Sequence, residues 1–449
     1  MNKLNASKSP LSRRSFLHTA GGAALAFHVV TAKSPGKKVR VGAVGCGGKG
    51  WTDLNGAARH ADLVAYCDVN VSVNRKGGYN SVKEKWPKAR GYVDWREMLE
   101  KEGNNLDAVT VSTPDHMHAP VTMTALQLGL GTYTQKPMTR MIQEARAITE
   151  LAEEKNVPTQ MGNQHHSGLG YRTLFEMVRG GAIGKVLTAH SWSNRPVWPQ
   201  GIDRPGGSDP VPEGLDWDKW LGVAHERPFK KDVYHPFKWR GWFDFGAGAL
   251  GDMGCHIIDP AVWVLGLGPA KTVAYEGPKP KKETFPAREV LTYRFKGTEH
   301  TVGDELVLKW WDGGNKPPFK GSHLDNDTQV PSQGVMFIGE EGTLVCPHGG
   351  MPNLYPLDKF KDFRRPRLDR LDHYEVWIDA FRTGDVPNSS FAYAGPLTET
   401  VLLGVVAARV GAKDELKWNS DKLKFENSDE ANGFIREKYR KGWEVEGLS

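Results

Sequence analysis

The chain has 449 residues, 39% of them apolar, which is long for a single hydrophobic core and rich enough in apolar residues for two folded domains. Its 51 Gly and 28 Pro are scattered without a period, which excludes a collagen-like or low-complexity chain. The formal charge of +6 falls to +2 once residues 1–32, with Lys3, Lys8, Arg13 and Arg14 and no acid, are set aside, so a nucleic-acid partner is not expected.

In chain order, the first feature is Ser12-Arg13-Arg14-Ser15-Phe16-Leu17, followed by a mild apolar run to Val30 and small residues before Lys33. This reads as a twin-arginine leader over 1–32 and predicts a periplasmic or otherwise exported protein that crosses already folded, with its cofactor loaded. The run is too short and too rich in Gly and Ala to span a bilayer, and no other apolar run approaches that length, so no stable membrane span is expected.

Next, a β-branched run from Lys38 leads into Gly45-Cys46-Gly47-Gly48-Lys49-Gly50, and 51–59 has helical character. Strand, G-x-G-x-x-G and helix in that order form a dinucleotide site. Gly45 permits the tight turn, Gly47 and Gly48 let backbone N–H groups approach a pyrophosphate, and Gly50 lets the helix lie close to the strand. A second strand over 62–67 ends in Asp68, placed to accept from the adenosine ribose hydroxyls. That carboxylate repels a 2′-phosphate, which favours NAD over NADP, with Arg75 the residue that would soften the preference.

The pattern continues with a helix over 71–85, a strand over 91–93, a helix over 95–101 and a central strand over 107–112. The turn Thr113-Pro114-Asp115-His116-Met117-His118 sits at that strand's carboxyl end, where open α/β sheets bind ligands. A helix over 119–128, a strand over 131–133, the loop Gln135-Lys136-Pro137, a helix over 142–155 and a strand over 157–161 complete a parallel, doubly wound sheet spanning 37–162.

Further on, residues 191–245 form an aromatic, loop-rich stretch with Trp192, Trp198, Trp217, Trp220, Trp239 and Trp242. Most of these indoles are expected to anchor loops, with one or two at a cleft where sugar faces stack on them. Trp239, Tyr234, Arg195 and Arg204 are candidate substrate contacts. Within a predicted helix over 249–264, Asp252 and His256 are four apart and share a face. The pair fits either a capping Asp beside a packed His, or a general base whose tautomer a carboxylate fixes. His116, His118, His165 and His166 raise the question of a metal, but no Cys or carboxylate spacing completes a site, and none is expected. His165, following the last strand of the first domain, is a candidate for sugar hydroxyls.

The glycine loop, the turn at 113–118, Gln135-Lys136-Pro137 and Gly251-Asp252-Met253-Gly254-Cys255-His256, together with 394–400 leading into 401–410, resemble the Gfo/Idh/MocA oxidoreductases. The resemblance implies a C-terminal α/β domain over 163–449 with a large, open, mostly antiparallel sheet. It further implies NAD as cofactor, contacts from Thr113, Pro114, His118 and Gln135, and a catalytic set in which Lys136 holds the reacting oxygen, His256 is the base and Asp252 its partner. Gln135 stands where the family more often has Glu. The implied reaction is hydride transfer at a sugar or polyol hydroxyl in a homo-oligomer. Some family members instead use a retained NAD to cleave glycosides by transient oxidation.

Overall fold

The computed structural model describes residues 38–72, 77–325, 327–412 and 414–449, so the leader and Arg75 lie outside the described residues. Six strands, β1 (Arg40–Val44), β2 (Asp62–Cys67), β3 (Arg90–Tyr92), β4 (Ala108–Val111), β5 (Gly131–Thr134) and β6 (Thr159–Met161), form a parallel sheet in the order β3-β2-β1-β4-β5-β6. β4 and β5 are buried along their whole length, as expected for strands covered by helices on both faces. The order reverses between β1 and β4, and ligands of such sheets bind outside the strand ends at this switch.

The helix expected over 71–85 starts only at Tyr79. Before it, the Asn70 side chain accepts from the Ser72 backbone, and Val71 N–H donates to the Gly214 carbonyl, so this stretch pairs with the aromatic insertion. Asn and Ser compete with helix by bonding local backbone in this way.

The second sheet has nine strands in the order β13-β12-β11-β7-β10-β9-β8-β14-β15. They are β7 (Val186–Trp192), β8 (Thr272–Glu276), β9 (Val290–Lys296), β10 (Glu305–Trp311), β11 (Gly334–Gly339), β12 (Thr343–Pro347), β13 (Asn353–Tyr355), β14 (Leu416–Asn419) and β15 (Lys424–Phe425). Its pairings are antiparallel except β7 with β10, which gives the mostly antiparallel α/β architecture anticipated for the C-terminal half.

The helix expected over 249–264 is two helices, Gly248–Ile257 and Asp259–Leu265. Pro260 has no N–H to continue the ladder, so the chain re-initiates there. Helix Phe391–Val410 packs against helix Ile142–Lys155, helix Gly248–Ile257, β6 and β8, joining the two sheets. This 20-residue helix is long and apolar enough to cross a membrane, which corrects the expectation that no other run approaches that length. With 83% of its apolar window buried inside the protein, it is a core helix.

The C-terminal tail returns to the first domain and to the aromatic stretch 191–245. The Ile435 carbonyl accepts from Gln143 N–H, the Tyr439 hydroxyl donates to Glu144 at 2.6 Å, and Arg440 N–H donates to the Val223 carbonyl.

Candidate active site

A cleft of about 630 Å3 opens at the carboxyl ends of the parallel strands, of a size suited to a cofactor and a small substrate. The glycine loop forms one end. Gly45 has φ of 86°, and a Cβ there would lie 2.5 Å from the Ser112 carbonyl oxygen; a Cβ at Gly50 would lie 2.2 Å from the Gly45 oxygen. At Gly47 a Cβ would meet nothing within 4 Å, because this glycine faces the cleft, as does Gly48 at the start of helix Lys49–Ala58. Tight packing behind the loop and open space before it fit a dinucleotide pyrophosphate.

Asp68 lines the cleft, and its carboxylate also braces the loop, accepting from Cys46 N–H at 2.8 Å and Asn70 N–H at 2.9 Å. Burial raises its pKa, and those backbone donors oppose the rise. Thr113, Pro114, His118 and Gln135 also line the cleft. The His118 ring lies between the Thr113 carbonyl, 2.9 Å from Nε2, and the Pro137 carbonyl, 2.7 Å from Nδ1, and the one N–H of the neutral ring donates to one of them, bracing the turn against the Lys136 loop. Burial takes its pKa down to about 4, leaving the ring neutral.

Gln135 is explained by Asp53, a carboxylate buried beneath the loop. The Gln135 amide donates to it at 2.9 Å, Ser112 Oγ and Tyr374 Oη each at 2.7 Å, and Lys49 pairs with it. A glutamate at position 135 would set two carboxylates against each other in this dry place.

At the other end, Lys136 Nζ donates to Asp252 Oδ1 at 2.8 Å and to the Asp252 carbonyl at 2.6 Å. Asp252 also accepts from Arg240 Nε at 3.2 Å, with Arg195 Nε at 3.9 Å. Burial pushes the Asp252 pKa up, but the charges of Lys136 and Arg240 outweigh it and hold the group below the usual carboxylate range. The Asp252 carboxylate is thus committed to three cations, and His256 Nδ1 is buried with no hydrogen-bond partner. The expectation that Asp252 fixes the His256 tautomer is therefore corrected: their shared helix face brings the residues close, but Lys136 and the arginines compete better for the carboxylate.

The neighbours of His256 are other imidazoles, with its ring centroid 5.1 Å from that of His348 and 6.1 Å from that of His165. Burial, and then Lys136, His348 and His165, lower its pKa well below the ordinary value, so the ring stands neutral and able to accept a proton. His348, from the turn after β12, bonds the Tyr171 hydroxyl through Nδ1 at 3.1 Å, and burial takes it down to about 3. No local motif marks His348; only the fold brings it here. Asp115, inside the turn motif, also lines the cleft. Its carboxyl accepts from Ala247 N–H at 3.1 Å, at the start of the helix bearing Asp252 and His256, and burial pushes it up to about 7.

Among the sugar-contact candidates, Trp239 lines the cleft, joined by Trp220. Tyr234 does not. It is fully buried in an aromatic cluster with Trp242 and Phe245, and its hydroxyl accepts from Arg227, so its role is packing. His116 lies between the Trp220 and Phe245 carbonyls and His166 bonds Asp259, away from His118 and His165. Among the described residues no group of three or more His, Cys, Asp or Glu is arranged to hold a metal.

Comparison with known families decides the lineage. The family model for an oxidoreductase NAD-binding Rossmann fold matches residues 39–163, and that for an oxidoreductase C-terminal alpha/beta domain matches 187–309, together more than half of the chain. The chain belongs to the Gfo/Idh/MocA oxidoreductase family. Similar relatives include an alpha-N-acetylgalactosaminidase of Shewanella oneidensis, 28% identical over 155 residues that cover 33% of each chain. A levoglucosan dehydrogenase of Pseudarthrobacter phenanthrenivorans is 25% identical over 174 residues, 38% of this chain and 36% of that one. The chain thus spans between about a third and 44% of the length of the curated relatives it matches.

Among solved structures, the WlbA dehydrogenase of Bordetella pertussis, in complex with NADH and UDP-GlcNAcA, superposes with a TM-score of 0.58 at 17% identity, covering 85% of this chain and 99% of that one. An oxidoreductase domain protein of Kribbella flavida gives 0.59 at 19%, covering 86% and 100%. These likenesses show that both domains of the fold are shared.

Proposed function

We propose that this protein oxidises or reduces a hydroxyl of a sugar or polyol with NAD that it holds tightly, and that the twin-arginine leader sends it, loaded, to the periplasm. The observation that carries the reading is the meeting of Lys136, Asp252 and His256 at the far end of a cleft whose near end is the glycine loop. Bound NAD supplies the hydride acceptor or donor. Asp252, anchored by Arg240, aims the Lys136 ammonium, which donates to the reacting oxygen and steadies its alkoxide character. His256, neutral and facing the cleft, accepts the hydroxyl proton as the carbon loses hydride, and returns it in the reverse direction. Asp68 disfavours a 2′-phosphate, which supports NAD over NADP.

A second reading, redox-neutral glycoside cleavage with the hydride returned within each cycle, draws support from Asp115, whose carboxyl at about 7 suits a general acid. Incubating the purified full-length protein with a carbon-deuterated sugar and no added NAD tests both. Reduced nicotinamide appearing once per protein, with deuterium on it, is the expected result for a tightly held cofactor. Many turnovers with the label retained in product would move the assignment to the second reading, and protein that neither carries nor binds NAD would overturn both.

A further inference from the structure

We infer that the substrate carries an anionic group, a carboxylate or a phosphate ester, received by Arg195 and Arg240; this rests on the carbohydrate reading above. The argument is one of charge. On the cofactor side of the cleft each lysine has its own acid, Lys49 with Asp53 and Lys219 with Asp216. At the substrate end Lys136, Arg195 and Arg240 share Asp252. One carboxylate cannot neutralise three cations, and Asp115, the other acid of this end, holds its proton up to about neutral pH because of its burial. The glycine loop offers a pyrophosphate its own backbone donors, so this positive excess is not needed there.

Both arginines are held before anything binds, Arg195 through its backbone and one guanidinium contact, Arg240 through its guanidinium. The Arg195 carbonyl accepts from Gly313 N–H at 2.7 Å, its N–H donates to Ser193 Oγ at 3.2 Å, and its Nη1 donates to Asn194 at 2.7 Å. The Arg240 guanidinium lies 4.2 Å from the Trp239 ring centroid and 4.5 Å from that of Phe237, and donates to the Phe237 carbonyl at 3.1 Å. An arginine fixed by stacking, by Nε on Asp252 and by Nη1 on a carbonyl keeps three further N–H donors, all on its Nη atoms, for a planar anion. Arg240 lines the cleft with 21% of its side chain exposed, and Arg195, 26% exposed, brings its Nε to 3.9 Å from the cleft residue Asp252.

The test uses the NAD-loaded full-length protein with D-glucuronate, D-glucose 6-phosphate and D-glucose, measuring affinity by calorimetry and nicotinamide reduction by absorbance. At least one anionic sugar is expected to bind about 10-fold or more tighter than glucose, the range of a hydrogen bond to a charged group, with the preference shrinking as salt rises. The two anionic probes separate a carboxylate from a phosphate. Arg195→Gln should bring the anionic-to-neutral ratio towards one, and Arg195→Lys, which keeps the charge but not the fork, should retain part of it. Glucose binding as well as both anions, or Arg195→Gln weakening all three sugars alike, would overturn the inference while leaving the proposed function standing. If no sugar of either kind binds or reduces the nicotinamide, the carbohydrate reading falls, and this inference with it.

Discussion

Lys136 comes from a loop in one domain while the carboxylate that holds its ammonium, Asp252, comes from a helix in the other. Lys136→Ala or His256→Ala should therefore lower turnover by about 10²–10⁴-fold and leave the affinity for NAD nearly unchanged. Gly47→Val should do the reverse, weakening NAD first because it fills the space before the loop. Steady-state kinetics alongside nucleotide titration checks both, and a His256→Ala enzyme of near-normal turnover would remove His256 as the base. Gln135→Glu should destabilise the loop by placing a second carboxylate on Asp53, and Asp53→Asn added to it should restore part of the loss. A double-mutant cycle on thermal stability and NAD affinity reads the coupling, and additive losses would sink it. At this scale the sequence carried Lys136, Asp252 and His256 because each lies in a short motif. It could not show that Asp252 serves Lys136 and Arg240, since i, i+4 spacing puts two residues on one face without deciding which partner wins the carboxylate. His348 has no neighbour in sequence that signals a site. Tyr234 was misread because a tyrosine in an aromatic loop looks the same whether its ring faces a cleft or a core.

The elements of the first domain were legible from β-branched runs, glycine spacing and helix periodicity, and their failures are instructive. The 71–85 helix shortened where Asn70 and Ser72 found local bonds and the aromatic insertion supplied a backbone partner, a contact that no window of sequence contains. The 249–264 helix divided at Pro260, which was readable. The helix Gly248–Ile257 is tied at its start to Asp115, whose carboxyl accepts from Ala247 N–H across the domain boundary. Asp115→Ala removes that tie and should reduce kcat about 10-fold or more, as small misplacements of catalytic groups do, with little change in NAD affinity. Asp115→Asn keeps an acceptor for Ala247 and should recover most of the rate near neutral pH. Its pH–rate profile should lose the inflection that Asp115 contributes near 7, and an unchanged profile would show that this carboxyl does not titrate in the cycle.

Across the whole molecule, the strap that presents Arg195 is tied to the second sheet beside a pair of buried acids. Asp312, just after β10, accepts from Glu289 N–H at 2.8 Å and from Trp310 Nε1 at 3.1 Å, while Glu289 Oε2, just before β9, is buried with no partner. The next residue, Gly313, donates its N–H to the Arg195 carbonyl. Burial pushes the Asp312 carboxyl up to about 7, and burial with the nearby Asp312 raises Glu289 well above its ordinary range. Folded values above unfolded ones mean that the stability linked to this pair is complete below about pH 4 and is lost as pH rises through about 7. A Glu289→Gln chain keeps the size and a donor but cannot ionise, so it should match the wild type in acid and melt higher in alkali. The gain should grow between about pH 5 and pH 8 and reach roughly 2 °C, the shift expected for about 1 kcal/mol in a protein of several hundred residues. Scanning calorimetry of both chains across that range decides the matter. A difference that stays flat with pH would mean that Glu289 titrates alike in the folded and unfolded chain, and one that grows towards acid would mean the two carboxyls are instead held ionised in the folded state.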